Sequence, residues 1–193
     1  MVSPSVLHYP QKVRYTFAQP SQLSDLITDL PTLSLNQKEN TMDQKTFIKK
    51  VQQKADSLAA LIIGIQKHYL SAPPANRRFI ETTIGAAIWY LPKNKELLFT
   101  GMISEKALML GERSEEHLFP RKIAAQELLG KNWSEIKDPS FHIAELFVSK
   151  YGRYNYVSKA ENRKLIKFQK SGVFTNPDDA YSEAGVVLIR HHR

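Results

Sequence analysis

From Phe47 to Tyr69 apolar side chains return every three or four residues, at Phe47, Ile48, Val51, Ala55, Leu58, Ala59, Ile62, Ile65 and Tyr69. That period lines them along one stripe of an α-helix, whereas a strand would need alternation every two residues. A stripe of this length has to be packed on a core. The segment Thr41-Met42-Asp43-Gln44 matches a capping box at the helix start, and Pro73-Pro74 stops the helix just past Leu70. A second helix is expected over residues 76–90, with Phe79, Ile80, Thr83, Ile84, Ala87 and Ile88 on its buried side and Pro92 ending it.

Material for the core is ample, because 42% of the 193 residues are apolar and 10% aromatic. Burial on that scale offsets the entropy lost on ordering the backbone. The chain has no cysteine, which removes disulfide frameworks, zinc knuckles, Fe–S ligation and thiol catalysis and fits a cytoplasmic protein. No stretch approaches the roughly 18 consecutive apolar residues of a membrane span, and the N-terminus lacks a basic region followed by an apolar run. Neither secretion nor membrane insertion is expected. Residues 1–40, with Pro4, Pro10, Pro20 and Pro31 and no sustained period, read as an arm. Within it, 13–17 is compatible with an edge strand and 23–30 with a brief helix.

The second half mixes short strands with helices. Residues 97–103 are β-compatible, and 106–110 continue as strand or helix. The run Glu115-Glu116-His117-Leu118-Phe119-Pro120-Arg121-Lys122 reads as a strand that breaks at Pro120, followed by a helix to Leu129. Asp138 caps a helix reaching Lys150, with Gly152 in the place a C-terminal glycine takes. Tyr154-Asn155-Tyr156-Val157 is a strand, and Ser158-Lys159-Ala160-Glu161 is a second capping box that launches a helix through Gln169, closed near Gly172. Asn162 then falls in that helix's first turn. The tail carries a final strand at 186–189.

Hydrolysis of a phosphodiester needs a base for the attacking water and a divalent cation for the charge at the leaving oxygen. Histidine titrates near neutrality and suits the base, while carboxylate and amide oxygens suit a hard cation such as Mg²⁺. Glu116 and His117, adjacent on a strand, point in different directions, one to a metal and the other to a water. The order of strand with acidic-His, Pro-terminated turn, second strand carrying Asn, and helix carrying Asn in its opening turn resembles the ββα-metal fold of HNH endonucleases, in an HNN-type variant. The resemblance covers residues 112–170. It implies that His117 is the general base, that Glu116 and Asn162 bind the metal, and that Asn155 orders the loop. It further implies Mg²⁺, with Mn²⁺ able to replace it, and double-stranded DNA as the partner, in a restriction, phage or defence setting. A homodimer is allowed.

Lys and Arg number 27 against 19 Asp and Glu, a formal charge of +8 that favours a polyanionic partner. Arg121, Lys122, Arg153, Lys159, Arg163 and Lys164 cluster around the resembling segment and are the candidate phosphate contacts. Lys167 and Lys170 lie further off and suit a solvated helix face equally well. The expected fold is α+β. It comprises an arm (1–40), a helical region with a β segment (41–111), an HNH-like module with a helical insertion (112–172) and a C-terminal extension (173–193). Two rival functions remain: a non-catalytic nucleic-acid-binding protein, and a helical interaction protein that binds a partner chain.

Overall fold

The apolar stripe forms α1 (Gln44–Ser71), which buries Phe47, Val51, Ala55, Leu58, Ala59 and Ile62. The computed structural model describes residues 44–93, 95–170 and 172–191, so the Thr41 cap and the elements expected at 13–17 and 23–30 lie outside the described residues. After Pro73 the chain turns and Pro74 opens α2 (Pro74–Trp89), where its fixed φ and missing N–H suit the first helical position. Arg77 ties the turn: its Nε donates to the Ala72 carbonyl at 2.8 Å and Nη2 to the Leu70 carbonyl at 3.0 Å. Those carbonyls would otherwise be left over at the end of α1.

A short turn of helix, α3 (Lys95–Leu98), leads into β1 (Phe99–Ser104), α4 (Glu105–Leu110) and β2 (Ser114–His117). Then come α5 (Arg121–Gly130), α6 (Pro139–Leu146), β3 (Tyr154–Val157), α7 (Lys159–Leu165), α8 (Pro177–Ala184) and β4 (Leu188–Arg190). Helix α1 packs on α6 and α2 on α5. At the second contact a Cβ on Gly85 would stand 3.0 Å from the Arg121 carbonyl oxygen, so the helices approach as closely as only glycine allows. These helices bury the main core together with Leu98, Trp133, Phe147, Tyr151 and Tyr154.

The strands form one sheet in the order β2-β3-β1-β4. β1 runs parallel to β3, and β2 and β4 each pair antiparallel with their neighbour. β1 comes from 41–111, β2 and β3 from 112–172 and β4 from the tail, so all three expected segments share this sheet. Residues 41–193 fall in one compact unit. Tyr154 faces the main core from one side of the sheet. On the other side Val157 joins Leu165, Ala180, Tyr181, Ala184 and Val186 in a second cluster under α7 and α8. The architecture is α+β with a helical N-terminal half. No helix among the described residues is long and apolar enough to cross a membrane.

Of the two alternatives for 106–110 the helix forms, because the Ser104 hydroxyl accepts from the Ala107 N–H at 3.0 Å and Gly111, at φ 64°, closes it. Other local expectations need correction. The helix after Ser158 ends at Leu165. Lys167 and Phe168 then bond three residues back, to Lys164 and Leu165, and the tightened turns replace the expected helix to Gln169. The α6 segment does run on to Tyr151, but through a single π-turn. Gly152 has φ −84°, so its place there rests on close approach: a Cβ would lie 2.8 Å from the Phe147 carbonyl oxygen. Helix α8 was not expected at all. The last strand starts at Leu188, because Val186 still bonds the Tyr181 carbonyl at 2.9 Å in the closing turn of α8.

Candidate functional site

β2 pairs with β3 so that Glu116 stands opposite Asn155 and His117 opposite Tyr154. Side chains alternate along a strand, so these two pairs lie on opposite faces of the sheet. Glu116 faces α7 and α8 and is 2% exposed. The Tyr181 hydroxyl donates to its Oε2 and the Gln169 amide to its Oε1. The Asn155 amide donates to the Tyr181 oxygen at 2.9 Å and accepts, at Oδ1, from the Thr100 hydroxyl. Five side chains from β1, β2, β3, the turn after α7 and α8 thus form one buried polar network. Burial pushes the Glu116 carboxyl up to about 7, against the opposing pull of the Tyr181 and Gln169 hydrogen bonds. Burial and the neighbouring Glu116 also raise the Tyr181 hydroxyl well above its ordinary range. Near neutrality Glu116 can exchange a proton, but it is sealed from solvent.

On the other face His117 stands edge-on to Trp89, with ring centroids 4.4 Å apart. Lys93 Nζ sits 2.9 Å from the Trp89 centroid and the Arg121 guanidinium 4.7 Å from it. Burial, then Lys93 and Arg121, bring His117 down to about 4, while Glu115 and the Gly152 carbonyl pull it upward. The ring is therefore neutral at pH 7. Its Nδ1 is buried without a hydrogen-bond partner among the described residues, and His117, Trp89, Lys93, Arg121 and Tyr154 help line a cavity of about 20 Å³. That is room for one water. A neutral imidazole with a bare lone pair beside such a space can accept a proton.

Asn162 lies in the first turn of α7, whose start is fixed by Ser158 and Glu161 in a capping box. Ser104 also donates to Glu161, at 2.6 Å, which locks α7 to β1. Burial would raise the Glu161 carboxyl, yet these hydrogen bonds hold it below its ordinary value. Asn162 donates to the Ser114 hydroxyl at 2.9 Å. Of the residues expected in the site, Glu116 and Asn155 meet within one network, Asn162 sits at Ser114, and His117 is across the sheet. Both Glu116 oxygens are engaged, and no group of three His, Asp or Glu converges among the described residues. Mg²⁺ asks for near-octahedral oxygen ligation, which these donors as arranged do not fit.

The expected phosphate contacts divide as well. Arg121 lies over Trp89, and Lys122 pairs with buried Glu81 at 3.3 Å. Arg153 is half-buried, with burial lowering its pKa and Nη1 3.4 Å from the Leu97 carbonyl. Lys159, Arg163 and Lys164 are exposed on α7, and Lys167 and Lys170 beyond it. Sequence reasoning missed Thr100, Gln169 and Tyr181. The signal for Tyr181 was present in Asn176-Pro177-Asp178-Asp179: Asn176 accepts from the Asp179 N–H at 2.9 Å and Pro177 takes the first helical position. Against models of known families, curated proteins and solved structures, the chain matches none.

Proposed function

We propose that this protein binds nucleic acid through sequence-independent contacts to phosphate. The observation that carries the reading is α7 with its following turns: Lys159, Arg163, Lys164, Lys167 and Lys170 are all exposed and none forms an ion pair among the described residues. Cations kept unpaired along one edge of a chain with charge +8 supply the counterion-release term that dominates such binding. The test is affinity for duplex DNA at several salt concentrations. Replacing Arg163 and Lys164 by Ala should weaken binding and flatten the log–log salt slope by about one to two, since each lost phosphate contact removes roughly 0.9. An unchanged slope and affinity would place the nucleic acid elsewhere.

A second reading, phosphodiester hydrolysis with His117 as the base, is favoured by the order β2, β3, α7 and by the state of His117. Its ring is neutral, with Nδ1 lacking a partner among the described residues beside a water-sized cavity flanked by two cations. The donors at Glu116 and Asn162 would have to rearrange to take a divalent metal. Plasmid cutting with and without Mg²⁺ or Mn²⁺ tests it. His117→Ala should lower cutting by at least about two orders of magnitude, the usual loss for a general base, while leaving DNA affinity in place. DNA binding without metal-dependent cutting leaves the binding reading alone.

A further inference from the structure

Helices α2 and α5 and the turn after α7 enclose an open cleft of about 740 Å³, within the size range of ligand sites. Among the described residues, Arg77, Arg78, Lys122 and Lys170 line it against a single carboxylate, Glu81. Two of these cations already have work in the fold, Arg77 on the end of α1 and Lys122 on Glu81, which also accepts from the Tyr69 hydroxyl at 3.1 Å. Arg78 and Lys170 have none: both are exposed, with no side-chain hydrogen bond or ion pair among the described residues. They come from different walls of one cleft and leave it with uncompensated positive charge. Helices α2 and α5 also begin here, behind Pro73 and Pro120, with no side-chain cap and no acid in the first turn. Their dipoles add to the same potential. Among the described residues the lining contains no aromatic ring on which a base could stack.

We propose that this cleft holds the phosphate backbone of nucleic acid, with Arg78 and Lys170 as its two opposed contacts. The inference rests on the nucleic-acid-binding reading and extends the bound surface from α7 to the helical half of the chain. Contacts from Arg78 and Lys170 to phosphate oxygens carry no sequence information, so the cleft's contribution is the same for any sequence.

The experiment measures binding of two duplexes of unrelated sequence by fluorescence anisotropy over a salt series, with wild type, Arg78→Ala/Lys170→Ala and Arg163→Ala/Lys164→Ala. Both exposed pairs should keep the wild-type unfolding midpoint. The cleft pair should lower affinity about tenfold or more and the salt slope by about one to two, equally on both duplexes. Normal binding by the cleft variant, with loss only in the α7 variant, would overturn the cleft assignment and leave the binding reading standing. Unequal loss on the two duplexes would overturn its sequence independence. A parallel titration with inorganic pyrophosphate separates the remaining cases. Pyrophosphate bound at Lys170 by a protein that binds no DNA would make the cleft a small-phosphate site and overturn the backbone assignment. Binding of neither would remove both readings.

Discussion

Glu116 and His117 are consecutive residues of β2 that face opposite sides of the sheet and are displaced from ordinary titration in ways that oppose each other. Burial raises the Glu116 carboxyl to about 7 and lowers His117 to about 4. Both shifts favour the neutral form, as expected where charge is taken out of water.

The first prediction concerns Glu116→Gln. Between the ordinary value of 4.5 and about 7, the folded protein keeps the Glu116 proton while the unfolded chain has lost it. Wild type therefore loses stability from this group as pH rises through that window, by about 3 kcal/mol in all, and is spared the loss below it. Urea unfolding at a series of pH values should show Glu116→Gln gaining on wild type from pH 4.5 to 7 and holding the gain above. A constant difference across the series would mean that Glu116 titrates normally.

His117 gives the opposite slope. Between 6.5 and about 4 the unfolded chain takes up a proton that folded His117 refuses, so this group removes stability as pH falls through that window. The NMR titration of the His117 ring should have its midpoint near 4. A His117 midpoint near 6.5 would contradict its enclosure against Trp89.

Tyr181→Phe should cost about 1–3 kcal/mol in urea unfolding, because it leaves both the Glu116 Oε2 and the Asn155 amide short of a partner in a buried site. The variant should also raise the Glu116 pKa further, since the Tyr181 hydrogen bond is the strongest of the influences lowering it. Carboxyl ¹³C NMR reads that second effect. Unchanged stability and titration together would show that the network is not closed in solution.

Gly85→Ala tests the packing of the helical half. The new methyl would stand 3.0 Å from the Arg121 carbonyl oxygen, and backbone has to move to admit it. A loss of about 1–3 kcal/mol, seen as a lower thermal midpoint, is expected. Glu116 should titrate as in wild type, since the strain falls at the α2–α5 contact and not in its network.

The sequence alone determined those parts whose cause is local. α1 follows from a repeat of three and four residues, α6 and α7 start at Asp138 and Ser158 because a side-chain oxygen meets an N–H three residues on, and β3 has the bounds its sequence implied. The opposite orientation of Glu116 and His117 was also legible, because alternation is a property of any strand. What each would meet was not. Tyr181 reaches Glu116 from 65 residues away and Gln169 from 53, and Arg78 joins Lys170 only after α2 and the α7 turn have docked around α5. Such meetings depend on which surfaces bury together across long loops of chain, and no window of sequence contains both partners. The tertiary structure therefore decided that Glu116 is held in a closed polar network, that His117 sits against Trp89 across the sheet, and that Arg78 and Lys170 border one open cleft.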